Sequence, residues 1–120
     1  MTLEAVQIIR KARELITPEG AWTQGTFARD AKGDPVGLFR DGAVCFCLGG
    51  ALDRAEYIID ADVPGRVAYN TMMQVVGASR DGACGIASWN DVPGRNQYEV
   101  LAALKLAEDV AARAGELVPV

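Results

Sequence analysis

Two stretches of the chain carry more polar detail than a plain core requires: Trp22-Thr23-Gln24 running to Arg29-Asp30, and Trp89-Asn90-Asp91 with Arg95 after it. Brought together, two arginines and two carboxylates would suit a zwitterionic or anionic small molecule held by bidentate guanidinium contacts. Arg29, Asp30, Trp89, Asn90, Asp91 and Arg95 are therefore the candidate ligand-binding residues. The same groups admit a structural reading, in which Asn90 and Asp91 bond their own backbone in a turn and Arg29 pairs with Asp91 to lock the fold. A third use is acid-base chemistry, with Asp30 or Asp91 moving a proton and Arg29 or Arg95 holding an anionic substrate.

The chain contains no histidine, so no triad can use imidazole as its base and no metal site can use imidazole as a ligand. Cys45 and Cys47 are two residues apart, which on a helix points them to opposite sides, and no metal site is expected. Cys47 falls on an apolar stripe and reads as a buried, inert thiol; Cys45 or Cys84 should react first. A cysteine near a helix N-terminus has a lowered pKa, so Cys45 also reads as a possible nucleophile, although no base partner can be named. Gly49-Gly50 lies inside a helical pattern and forms neither a P-loop nor a dinucleotide fingerprint. Asp60, Asp62 and Asp81 match no calcium loop. No cofactor is expected.

These residues belong to a chain of 120 residues, half of them hydrophobic, with a formal net charge of −4. That length suits one domain, residues 1–120, with a core large enough to stand without staples. The acidic balance argues against a nucleic-acid partner, which asks for a basic face. Arg10, Lys11 and Arg13 do cluster, and read as the solvated side of a helix. Glu4 interrupts the start of the chain, which lacks the layout of a signal peptide, and no apolar run is long enough to span a membrane. Three cysteines close no disulfide framework, and the expected compartment is the cytoplasm.

Periodicity places the positioning elements. Ala5, Ile8, Ile9, Ala12, Leu15 and Ile16 recur at helical spacing between Thr2, a suitable cap, and Pro18-Gly20. The segments AWTQGTFAR and PVGLFR flank the turn formers Asp30–Asp34 and predict a β-hairpin. Asp41 is placed to cap a second helix carrying Val44, Cys47, Leu48, Ala51, Leu52, Ala55, Ile58 and Ile59, ended by Pro64-Gly65. Its consecutive small residues Gly49, Gly50 and Ala51 suggest that another backbone approaches there. A third helix is expected from Arg66 to Val76, then a short strand from Gly85 to Trp89 that adds to the hairpin. Asn96 and Glu99 form a capping box for the last helix, along which Val100, Leu104, Ala107, Ala111 and Ala114 share a face. The expected fold class is α+β: a β-hairpin or small three-stranded antiparallel sheet packed with about four helices, the second and last of which form the core.

Taken together, Trp22, Gln24-Gly25, Ala28-Arg29-Asp30, Phe46-Cys47-Leu48-Gly49-Gly50-Ala51-Leu52, Trp89-Asn90-Asp91, Arg95 and Glu99-Val100 resemble the marks of an uncharacterised bacterial and phage domain-of-unknown-function family. The chain departs from that pattern by an extra Thr23 between Trp22 and Gln24, and by Asn96 where the family tends to show threonine. The resemblance spans nearly the whole chain and implies a fold but no activity. The function expected is a non-catalytic small-molecule-binding or phage and mobile-element accessory protein. A histidine-free enzyme acting on an anionic substrate and a structural subunit that oligomerises through an apolar helix face are the alternatives. Partners are a small molecule or another protein, without nucleic acid or membrane, and the oligomeric state is open.

Overall fold

Ala5, Ile8, Ile9 and Ala12 are buried on one face of the first helix, α1 (Leu3–Leu15), and Ile16, directly after it, is buried as well. The helix closes where the Thr17 hydroxyl donates to the Arg13 carbonyl at 2.6 Å. The computed structural model describes residues 3–59, 66–77 and 85–117. After α1 come β1 (Ala28–Arg29), β2 (Cys45–Phe46), α2 (Leu48–Ile59), α3 (Arg66–Val76), α4 (Ile86–Asn90) and α5 (Gln97–Leu117). The class is α+β, as expected. Thr2, Asp60, Asp62, Pro64, Gly65, Asp81 and Cys84, named above, lie outside the described residues.

The turn at Asp30–Asp34 forms as the residue types require. The Asp30 carboxylate accepts the backbone N–H groups of Lys32 (2.9 Å) and Asp34 (3.0 Å), and Gly33 takes φ +88°. The returning strand differs from the expectation. Arg29 meets Pro35 in a single bridge, and the antiparallel partner of β1 is β2, with Ala28 opposite Phe46 and Arg29 opposite Cys45. Pairing with PVGLFR is confined to that bridge, closed by Asp30 N–H to the Asp34 carbonyl (2.9 Å) and Val36 N–H to the Ala28 carbonyl (3.1 Å). On its other edge Phe46 bridges Trp22 in parallel, held by Phe46 N–H to the Ala21 carbonyl (2.9 Å) and Thr23 N–H to the Phe46 carbonyl (3.1 Å).

The second helix starts at Leu48, later than the Asp41 cap implied, because Val44–Cys47 is held by extended-chain bonds to Ala21, Phe27 and Arg29. Cys47 caps it instead: its carbonyl accepts Ala51 N–H at 2.8 Å and its Sγ accepts Gly50 N–H at 3.3 Å. The close approach expected at the glycines occurs at Gly50, where a Cβ would collide with the Phe27 carbonyl oxygen.

Gly85–Trp89 is no third strand; Ile86–Asn90 winds into one helical turn, with Trp89 N–H to the Gly85 carbonyl (3.1 Å) and Asp91 N–H to the Ala87 carbonyl (3.0 Å). Both edges of β2 are already engaged, by β1 and by Ala21–Thr23, which leaves this segment no place on it. Five helices are therefore described, against the four expected. The capping box of α5 is present in full: Asn96 Oδ1 accepts Glu99 N–H at 2.9 Å, and Glu99 Oε1 accepts Asn96 N–H at 3.0 Å.

The core centres on α1, which packs against both α2 and α5, a correction to the expected pairing of α2 with the last helix. Arg10 and Arg13 are not merely solvated either. They converge from α1 on Glu108 of α5, whose side chain is 8% exposed, with Arg13 Nη2 to Oε1 at 2.8 Å and Arg10 Nε to Oε2 at 3.2 Å. Gln97 ties the start of α5 to the end of α1 by donating to the carbonyls of Ile16 and Pro18, both at 2.7 Å.

Candidate functional site

Asn90 ends α4 with its side chain fully buried, and every polar atom of that side chain is used. Its Oδ1 accepts the Trp22 indole N–H (2.6 Å) and the Leu48 backbone N–H at the start of α2 (3.0 Å). Its Nδ2 donates to the Thr23 carbonyl and to Asp91 Oδ1, both at 3.0 Å. One amide thus joins the loop before β1, the N-terminus of α2 and the turn after α4. Gln24 reinforces the joint by donating to the carbonyls of Asn90 (2.9 Å) and Val92 (3.2 Å), and Asp91 Oδ1 also accepts Gly25 N–H at 3.0 Å.

Arg29 grips the same loop without meeting a carboxylate. It donates to Thr23 Oγ1 (2.7 Å), the Gln24 carbonyl (3.1 Å) and the Gly33 carbonyl (3.0 Å). The Arg29–Asp91 ion pair weighed from the sequence is absent, because loop carbonyls occupy the guanidinium while Gly25 and Asn90 occupy Asp91. Asp30 is turned into its own hairpin turn. Arg95 lies over the Trp89 ring, 3.9 Å from its centroid, donates to the Trp89 carbonyl (3.0 Å) and reaches Glu99 at 3.4 Å. Of the six candidates, Asn90 and Asp91 join the Trp22–Gly25 loop, Arg29 holds that loop from its far side, Trp89 and Arg95 form a separate stack, and Asp30 stands apart.

A cleft of roughly 130 Å³ opens beside this joint, lined by Gly25, Thr26, Phe27, Cys47, Ala87 and Asp91. Asp91 alone of the six candidates lines it. Cys47, read from the sequence as inert core, forms its inner wall. Burial pushes the Cys47 thiol up, the N–H groups of Gly50 and Gly49 pull it down less strongly, and the charges of Asp91 and Asp53 add to the rise. Burial also raises Tyr69, helped by Asp53 and Cys47, and raises Asp53, helped by Glu56. Among the described residues no arginine or lysine lines the cleft, and the charged group there is Asp91. The cleft residues missing from the sequence reading are Gly25, Thr26, Phe27 and Ala87, with Cys47 recognised there only as core; the signal available was a cysteine directly before a Leu-Gly-Gly helix start.

Among the described residues no three of His, Cys, Asp or Glu are grouped to hold a metal ion, and no helix is long and apolar enough to cross a membrane. A family model described as "Family of unknown function (DUF6197)" matches residues 1–110. No curated protein and no solved structure matches the chain.

Proposed function

The chain belongs to DUF6197, a family of unknown function, and from that premise we propose, on its own geometry, that it is a non-catalytic module binding a small molecule in the cleft between Phe27, Cys47 and Asp91. The observation that carries this reading is the cleft itself, with walls fixed in advance by the fully bonded Asn90. Walls that need no ordering on binding leave more of the contact energy for the ligand. Ligand pockets for drug-sized molecules run from about 300 Å³ upward, so this cleft fits a few heavy atoms or one end of a larger molecule.

Its chemistry favours a cationic group, where the sequence pointed to a zwitterionic or anionic ligand. Asp91 supplies a carboxylate, the half-exposed Phe27 supplies an aromatic ring, and Arg29 and Arg95 are spent on backbone carbonyls elsewhere. The same facts support binding over turnover, since burial holds Cys47 in its neutral form and the acid-base reading has lost the arginines it needs for an anionic substrate.

Amide chemical-shift mapping tests this directly, by titrating the protein with small primary amines and with carboxylates of matched size. Amines should shift Gly25–Phe27 and Ala87–Asp91, and Asp91→Asn, which keeps the oxygen that Gly25 and Asn90 use, should weaken the amine at least about tenfold. Shifts confined to other surfaces, or a preference for carboxylates, would reject the proposal.

A further inference from the structure

One face of α5 is apolar and uncovered. Val100, Leu104, Ala107 and Ala111 are buried on the opposite face, while Tyr98 (83% exposed), Ala102, Leu106 (53%) and Val110 (37%) form a row at four-residue spacing on the outside. Such a row gives a helix a ridge that can pack against a second helix. Charged residues border it: Lys105 and Asp109 bond to each other at 3.3 Å, and Arg113 and the half-exposed Glu99, whose Oε2 also faces Arg95 at 3.4 Å, stand toward either end. Arg113 forms no ion pair among the described residues.

The order of these residues points to one occupant. Reading outward from Leu106, Ala102 and Val110 are each four residues away, and Glu99 and Arg113 are each seven away, on opposite sides. A second copy of this helix laid antiparallel, with the two-fold axis at Leu106, therefore sets Leu106 on the partner's Leu106, Ala102 on the partner's Val110, and Glu99 opposite the partner's Arg113. Each contact occurs twice, as a two-fold interface requires. A parallel copy would put Glu99 against Glu99 and Arg113 against Arg113, which like charges oppose.

We propose that α5 pairs antiparallel with α5 of a second copy through Tyr98, Ala102, Leu106 and Val110, with Glu99 and Arg113 setting the direction. One helix face is smaller than the roughly 800 Å² per partner of a standard stable interface. The dimer is accordingly concentration-dependent.

Sedimentation velocity of the full chain from about 1 μM to about 1 mM spans the relevant affinities. The expected result is a reversible monomer–dimer equilibrium. Leu106→Glu, at an exposed position, should weaken it at least about tenfold with helicity by circular dichroism unchanged, since it sets two carboxylates together on the axis. Arg113→Glu should weaken it to a smaller degree and invert its salt dependence, since salt then screens a repulsion instead of an attraction. A chain that stays monomeric throughout overturns the proposal and leaves the face to a different partner or to solvent; a dimer that neither variant affects overturns it by placing the contact elsewhere.

Discussion

The thiol of Cys47 is pulled in two directions by its position. The N–H groups of Gly50 and Gly49 in the first turn of α2 favour the thiolate, and burial favours the thiol; burial is the larger, so the pKa lies above the ordinary value. Folding therefore favours the protonated form. This contribution to stability is fully present below the unfolded thiol's pKa and is lost as pH rises through the folded one. Brief labelling of the native protein with iodoacetamide near neutral pH should modify Cys45, which is partly exposed, ahead of Cys47, with peptide mass spectrometry as the readout. Fast neutral modification of Cys47 would contradict the burial. The sequence was enough to mark Cys47 as shielded, but its stripe suggested mid-helix core, whereas the residue caps the helix and lines the cleft. Asn90 was harder to read. Asparagine before aspartate in a Pro-Gly-containing loop is the ordinary composition of a solvated turn, and nothing local says that its amide is met by partners from residues 22, 23 and 48.

At the scale of elements, α2 can pack where it does because Gly50 has no side chain. Gly50→Ala places a methyl group on the Phe27 carbonyl, and since neither backbone can retreat without breaking the Cys47–Phe27 bond, we expect a loss of about 3 kcal/mol in urea unfolding. Gly49→Ala meets only the Tyr69 hydroxyl and the Phe27 ring edge at ordinary contact distances, and should be near neutral or stabilising by up to about 1 kcal/mol through helix propensity. Equal losses from both would remove the close approach as the explanation. Helix interiors and the α5 capping box were legible because their signals repeat every three or four residues or reside in four adjacent ones. The β partners were not. A two-residue strand has no period to detect, and Cys45-Phe46 pairs with Ala28-Arg29 across a loop whose own turn signals pointed to a nearer partner. The turn at α4 was equally opaque, since five residues cannot show a helical repeat.

For the whole molecule the ion cluster between α1 and α5 is the contact whose strength depends most on solution conditions. Burial alone would raise the Glu108 carboxylate, but hydrogen bonds from Arg13 and Arg10, aided by their charges, outweigh it and hold the pKa below its ordinary value. Stability from this source is present above the unfolded carboxylate's pKa and is lost as pH falls through the folded one. Glu108→Gln should cost about 2 kcal/mol at neutral pH, less than for a fully buried pair because both arginines keep access to water, and the gap to wild type should close in acid. A gap that persists unchanged below the carboxylate range would show that the lost contact was not ionic. The arginines looked like a solvated face because their partner lies nearly a hundred residues away, and pairing at that separation leaves no trace in local composition. Distance along the chain also decides how the protein can be watched. Both of its tryptophans stand near Asn90, Trp22 donating its indole N–H to the amide and Trp89, the preceding residue, stacked under the Arg95 guanidinium. Tryptophan emission, excited to the red of tyrosine absorption, is thus a native optical gauge of this one region: a ligand entering the cleft or a loop leaving α2 would change its colour and yield, while fraying at the far end of α5, which carries no tryptophan, would stay dark.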